Sequence, residues 1–395
     1  MSMFRDATFL AGRHLVHHRG RSLLLVTALF LVVVLPISVD RIVDVGERGL
    51  RARAEGTPMV AGAPGAAIDL VLAALYFRGA PGETFPQGDL DPVVADGLGA
   101  VFPLVLGDRA KQAPLVGTDP DYLAFRGLTC RSGRPFVVAG ECVLGASVAA
   151  RTGVAVGDRI LTEPRELFDL AGAYPLRMEV VGVLEASGQP DDEAVFTTTS
   201  TAWIVQGLGH GHEDLTVSSD PELLMDERDG MVVGTAKVRE FVEITDENRD
   251  SFHFHGSISQ MPVDAAIVVP FDARSETIAF ARAETGRLAI QMVRSVEVVD
   301  DLLVETFRIR RIMLVVLGTV AVGTLLLVGV VMALSVRVRA TEIETMHLIG
   351  CGRGRVPLFI STEIGFLLLA ATAAAMVVGV FLIPFVADAE RFIIG

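Results

Sequence analysis

Lysine is nearly absent from this chain of 395 residues: Lys111 and Lys237 are the only two among 34 basic residues. That skew reads as genomic composition bias and carries no functional weight. Cysteine is scarce as well. Cys130, Cys142 and Cys351 are too few for a disulfide framework and lack the spacing of a structural zinc site. Cys130 and Cys142 either form one bridge, if their segment lies outside the cytoplasm, or remain two unpaired core thiols. Aromatic residues make up 6% against 51% hydrophobic residues, so the apolar excess is aliphatic and belongs in spans or a large core. No GxxxxGK[ST] occurs, and neither lysine follows a glycine-rich loop, which excludes ATP binding by this chain through a Walker A motif. The run Gly350-Cys-Gly-Arg-Gly354 mimics a phosphate cradle, but it follows a helix where that motif needs a strand. No Ser/His/Asp set, paired catalytic carboxylates or CxxC stands out, so the chain does not read as an enzyme.

The charge is unevenly placed. Residues 41–306 hold 22 basic and 41 acidic side chains, a net of −19, and the rest of the chain is net +5 with 12 basic and 7 acidic. An acidic segment of that size excludes a nucleic-acid partner, because phosphate binding needs the opposite sign. Three runs carry no charge at all: 18 residues between Arg21 and Asp40, 25 between Arg311 and Arg337, and 24 between Glu363 and Asp388. A spanning helix needs about 20 apolar residues, so all three qualify. The first is long for a signal-peptide core and lacks a small-residue cleavage site directly after it, which makes it a retained span.

Orientation follows from the basic flanks. Arg13, Arg19 and Arg21 precede the first run, and Arg337, Arg339, Arg353 and Arg355 lie between the second and third, placing both regions in the cytoplasm. Arg308, Arg310 and Arg311 fall on the outer side against the rule, where arginines at span ends snorkel to the interface. The resulting division is a cytoplasmic amphipathic segment 1–21, spans at 22–39, 307–336 and 357–387, an extracytoplasmic domain with stalk helices 40–306, a cytoplasmic segment 337–356 and an outer tail 388–395. The stalk is expected from i,i+4 pairs Asp44/Arg48 and Glu47/Arg51, with Gly56 as a stop, and from the face Val296, Val299, Leu303 and Phe307. Two short amphipathic linkers are the simpler alternative.

Within the insertion, β-rich runs at Cys142–Leu144, Arg159–Thr162, Met178–Leu184 and Ala194–Thr198 alternate with helical candidates Ala146–Thr152 and Ser275–Arg287, giving an α+β domain. The stretch from Gly207 to Gln260 is acidic and loop-rich. It contains two HxH pairs, His210/His212 and His253/His255. Residues i and i+2 of a strand share a face, so each pair could offer two imidazoles to one metal ion, or equally hydrogen-bond loop backbone. Glu363 lies about 12 Å along a helix from Arg355, near the inner interface, where a carboxylate either pairs with a nearby arginine or serves gating. In the third span, Ala370, Ala373, Ala374 and Gly379 offer small faces for a dimer seam or for lipid.

The N-terminal run Leu10-Ala-Gly-Arg-His-Leu-Val-His-His-Arg-Gly-Arg-Ser22, leading straight into a span, resembles the start of FtsX-like and MacB-like ABC transporter permeases. Val116-Gly-Thr-Asp-Pro-Asp-Tyr122, Gly133-Arg134, Val143-Leu-Gly-Ala-Ser-Val-Ala149, Val156-Gly-Asp158 and Val180-Val-Gly-Val183 are similar to the MacB-like periplasmic core. Arg339-Ala-Thr-Glu-Ile-Glu-Thr-Met-His-Leu-Ile-Gly350 resembles the family's cytoplasmic segment after the second span.

The resemblance implies a helical membrane domain with an α+β MacB-like core inserted between spans one and two, in the bacterial inner membrane. It also implies a permease that works as a homodimer or heterodimer with a separate cytoplasmic ATPase, and that ATPase would bind ATP and magnesium. Glu342, Ile343, Met346, Leu348, Gly350, Arg353 and Arg355 would form the coupling segment that docks on it, while a helix lying on the lipid surface is the alternative. Mechanical transmission would then export or extract a lipid, lipoprotein or peptide, with membrane lipids and a periplasmic protein as further expected partners. Two other classes stay open: an FtsX-like regulator of a cell-wall hydrolase, and a membrane-anchored sensor. The family usually has four spans. Three here imply a three-span branch, a truncated chain or a helix supplied by a partner.

Overall fold

The computed structural model describes residues 2–79, 82–164, 175–211, 224–228, 231–234, 242–254, 256–338, 340–348, 352 and 354–394. They divide into two compact units, Met1–Arg48 with Leu303–Ile393, and Gly49–Leu302 with Ile394–Gly395. In chain order the helices are α1 (Ser2–His17), α2 (Arg19–Glu55), α3 (Ala67–Tyr76), α4 (Asp91–Ala95), α5 (Asp121–Phe125), α6 (Ala146–Thr152), α7 (Thr199–Val205), α8 (Ala273–Glu284), α9 (Ser295–Val338), α10 (Ala340–Leu348) and α11 (Arg355–Ile394). The strands are β1 (Met59–Gly62), β2 (Phe85–Pro86), β3 (Gly99–Ala110), β4 (Ala113–Thr118), β5 (Cys130–Gly133), β6 (Glu141–Leu144), β7 (Arg159–Leu161), β8 (Leu176–Leu184) and β9 (Val195–Thr198). They continue as β10 (Gly209–Gly211), β11 (Leu224–Arg228), β12 (Met231–Gly234), β13 (Val242–Glu243), β14 (Phe252–Phe254), β15 (Pro262–Val263), β16 (Ala265–Pro270) and β17 (Gln291–Arg294).

The helical unit contains three helices long and apolar enough to cross a membrane, with spans on Arg19–Glu55, Ser295–Val338 and Pro357–Gly379. Its core is built on i+4 ridges. Arg21, Leu25 and Leu29 of α2 face Glu363, Leu367, Ala371 and Ala375 of α11, with Met332 of α9 closing the cluster. The small residues on the packed face are therefore Ala371 and Ala375, whereas Ala370 and Ala373 are exposed. Most of α9 between Ile312 and Leu334 is exposed and aliphatic, a surface that water does not favour and a bilayer does.

Both α2 and α9 are longer than a bilayer requires. At 37 and 44 residues they run about 55 and 66 Å, against a hydrocarbon core of about 30 Å. Each continues without a break past the end of its apolar run. Ion pairs tie the two helices together: Arg310 with Asp40 and, at 3.4 Å, with Asp44, and Arg51 with Asp300 at 2.5 Å. The first of these explains why an arginine at the outer end of the second span is tolerated, since two acids of α2 meet it. Arg51 pairs across to α9, and Arg48 donates to the Asp44 carbonyl at 3.0 Å. The α2 helix ends at Glu55, with the Gly56 amide still bonded to the Ala52 carbonyl.

The second unit is built on a mixed sheet of 11 strands, in the order β13-β8-β6-β9-β4-β3-β16-β1-β17, with β5 and β7 also on β8. Among the described residues, two apolar clusters serve it. One gathers Met59, Val105, Trp203, Val263 and Val268 under α8, and the other gathers Leu115, Leu144, Val148, Ile160, Met178 and Val195 under α6. The helix α6 keeps the bounds expected from sequence because Gly153, at φ +69°, closes it in the left-handed conformation. The helix α8 starts two residues before the sequence expectation, as Asp272 caps it by accepting from the Ser275 amide at 2.7 Å.

Both described cysteines are free. They sit on β5 and β6, which flank β8 on opposite sides since each pairs with Gly182 and Val183. Two strand spacings of about 4.8 Å each exceed the Cα separation that a disulfide allows. Burial raises the pKa of both thiols, most strongly for Cys142, where the Glu141 and Glu179 carboxylates add to it.

Candidate functional site

Glu363 is almost fully buried, 2% exposed, on the inward ridge of α11. One of its oxygens, Oε1, accepts from Arg21 of α2 at 2.6 Å and meets Nδ1 of His14 of α1 at 3.2 Å. Arg21 also donates to the Ser335 hydroxyl of α9. A single carboxylate and a single guanidinium thus join all four long elements of the helical unit. By sequence position these residues lie at the end of the spans facing the basic flanks, so the node belongs to the cytoplasmic side. A buried acid held by a guanidinium and met by an imidazole is a fastening, and removing the guanidinium leaves the carboxylate uncompensated.

The second region is the connection between α9 and α11. The α10 helix carries Ile343, which is half-buried, and Leu348, which is 82% exposed. Glu342 and Met346 lie on the same helix, and Arg355 opens α11. Gly350 and Arg353 lie outside the described residues.

In the β-rich unit the end of α2 is locked by a buried polar cluster that sequence reasoning missed. Arg53 donates to both carboxylate oxygens of Asp191, to Tyr122 Oη at 3.3 Å and to the Leu75 carbonyl at 3.1 Å. Tyr122 in turn donates to Asp191 Oδ1 at 3.0 Å, and Arg126 reaches Thr57 Oγ1 at 2.7 Å. Burial works against the charge on Arg53, but Tyr122 and Asp191 outweigh it and hold its pKa above the ordinary value. The Tyr122 hydroxyl is pushed up by burial and by Asp191, and Arg126 is lowered mainly by burial. The only sequence signal is an arginine three residues before a helix-stopping glycine, which an exposed surface position would match equally well.

The histidines come together in part. His210 on β10 and His253 on β14 are directly opposite in an antiparallel pair, ring centroids 5.1 Å apart, with His253 Nδ1 3.2 Å from the Ser251 carbonyl. The structure thereby brings one member of each HxH pair into contact. His212 and His255 lie outside the described residues, and among the described residues no group of three or more His, Cys, Asp or Glu side chains could hold a metal ion.

Comparison with known families matches residues 33–227 to the MacB-like periplasmic core domain. Among solved structures, the periplasmic region of MacB from Actinobacillus actinomycetemcomitans is similar at 12% identity and a TM-score of 0.35, covering 64% of this chain and 95% of that one. The extracellular domain of the noncanonic ABC-type transporter YknZ from Gram-positive bacteria aligns at 11% identity and a TM-score of 0.33, covering 60% of this chain and 99% of that one. Scores that low carry no weight of their own and leave the family match as the basis of assignment. Curated protein sequences yield no match. The match begins within the first apolar helix and ends before the second, in a multi-pass inner-membrane protein whose large domain lies outside the cytoplasm. The chain thus carries a MacB-like periplasmic core domain between its first two apolar helices, which supports a MacB-like, FtsX-like ABC permease.

Proposed function

We propose that this permease transmits mechanical work from a separate cytoplasmic ATPase to its extracytoplasmic domain, which expels or extracts an amphipathic substrate such as a lipid, lipoprotein or peptide. The observation that carries the reading is the continuity of α2 and α9, each an unbroken helix from its apolar run to well beyond it, cross-tied by Arg310 and Arg51. A helix of that length passes on a tilt that a flexible linker would absorb. The Arg53 cluster supports the same reading, since it seats the far end of α2 in a buried ion pair. Glu363 would act as the fastening that makes α1, α2, α9 and α11 move as one. ATP and magnesium belong to the partner ATPase, which would dock on α10 and the residues up to Arg355, and a second permease subunit would complete the assembly.

Replacing Glu342 and Met346 together tests the docking surface. The expected result is loss of stimulated ATPase activity and of ATPase co-purification, with membrane insertion unchanged. Undiminished stimulation by the double variant would remove α10 from the coupling path. Affinity purification of the full chain in mild detergent, followed by mass spectrometry, should recover a stoichiometric Walker-motif ATPase.

A further inference from the structure

The cytoplasmic end of the first span carries cations that the described residues leave unneutralised. Before Ser22, where the uncharged run opens, the chain holds Arg5, Arg13, Arg19 and Arg21 against the single acid Asp6. Glu363 takes Arg21. Arg13 and Arg19 are exposed and, among the described residues, make no hydrogen bond or ion pair. The outer end of the same helix is different, since Asp40 and Asp44 bracket its own exposed arginine, Arg41.

These cations share a face with the lipid-facing residues. The His18 amide bonds the His14 carbonyl at 3.0 Å and the Ser22 amide bonds the His18 carbonyl at 3.0 Å, so α1 passes into α2 with the helical ladder kept. Spacings of three and four therefore define one face through the junction: Arg13, Val16, Gly20, Leu23, Thr27 and Leu31, all exposed. Ala7, Ala11, Leu25 and Leu29 form the opposite, buried face. His17, also exposed, stands beside Arg13 at i+4. A Cβ on Gly20 would meet nothing within 4 Å, so the helix surface is bare between the cations and the leucines.

The depth fits a headgroup. Helical rise sets Arg19 about 4.5 Å, His17 about 7.5 Å and Arg13 about 13.5 Å before Ser22. A bilayer of about 40–45 Å around a hydrocarbon core of about 30 Å leaves a polar layer of about 5–8 Å on each side, which is the depth of Arg19 and His17. Arg13 lies within one further screening length, about 8 Å at physiological salt.

We propose that this end of the first span binds anionic phospholipid of the inner leaflet. Arg19 and His17 hold the phosphodiester beside the bare Gly20 turn, Arg13 acts through the field of the leaflet, and Leu23 and Leu24 lie along the acyl chains. Charge complementarity selects the headgroup, and the face that carries the cations runs unbroken into the bilayer-facing surface of α2. An acidic protein would meet the cations as well, but it does not reach past Gly20 to the leucines on their face. The inference needs only the span and its orientation, and no ATPase or substrate enters it.

The test uses the full chain in an uncharged detergent, titrated with phosphatidylglycerol and separately with phosphatidylcholine of the same chains, and bound lipid is counted by native mass spectrometry. Phosphatidylglycerol should bind more tightly. Arg13→Gln/His17→Gln/Arg19→Gln should weaken phosphatidylglycerol by about tenfold or more and leave phosphatidylcholine unchanged, while Arg41→Gln at the outer end should change neither. Equal affinity for the two lipids, or a preference that survives in a folded triple variant, would overturn the site. So would an unaltered lipid preference in a triple variant that loses a co-purifying cytoplasmic protein, because the cations then serve that protein. Should the triple variant not fold, salt decides with the native chain: at about 1 M, where the screening length is about 3 Å, the preference for phosphatidylglycerol should collapse, and its persistence counts against the proposal.

Discussion

Arg53 is charged, buried and fully engaged, which makes it the residue whose partners matter most in the extracytoplasmic domain. Asp191→Asn leaves that guanidinium in a dry site with no counter-charge and should cost about 3–5 kcal/mol, read as a large fall in thermal midpoint of the full chain. Arg53→Met combined with Asp191→Leu should cost much less, because no charge is then stranded. Glu141 gives a prediction in pH. Burial opposes its ionisation, but the Arg134 hydrogen bond and the amides of Val137 and Val138 prevail and depress its pKa. Its contribution is therefore complete above the ordinary carboxylate range and is lost as the pH falls through the depressed value. Glu141→Gln should flatten the acid limb of the stability profile, and an unchanged limb would show that other carboxylates dominate there. Cys142, buried with a raised thiol pKa, should resist maleimide until the domain unfolds.

At the scale of elements, close approaches decide the packing. A Cβ on Gly117 of β4 would collide with Ala202 of α7, so Gly117→Ala should destabilise the domain by about 1–3 kcal/mol, measurable as a shift in unfolding midpoint. Elements with their own punctuation were legible in sequence: Gly153 stops α6, and β6, β8 and β9 fall within one or two residues of the β-rich runs. The strands β1, β3, β4, β16 and β17 were not. The strand β3 shows why, since seven of its first nine positions are apolar or nearly so and no alternation marks a single buried face. The ridge Glu363, Leu367, Ala371 and Ala375 was also hidden, because an alanine-rich span offers several equivalent small faces and only the packing of α2 and α9 selects one. Glu363→Gln should loosen that unit and lower detergent stability, as Arg21 then loses its counter-charge.

For the whole molecule, the proposed relay depends on helices that do not bend. Four glycines inserted in α2 after Gly46 should preserve ATPase docking and stimulation yet abolish substrate movement; retained movement would refute transmission through α2. The linear chain by itself determined the membrane spans, their orientation, the acidic insertion between the first two and the family resemblance, because each follows from local composition or contiguous motifs. Only the tertiary structure decided which charges meet. Glu363 finds Arg21 across 342 residues, and Arg53 finds Asp191 across 138. Burial and pairing are properties of neighbours in space, and no spacing rule along the chain encodes them.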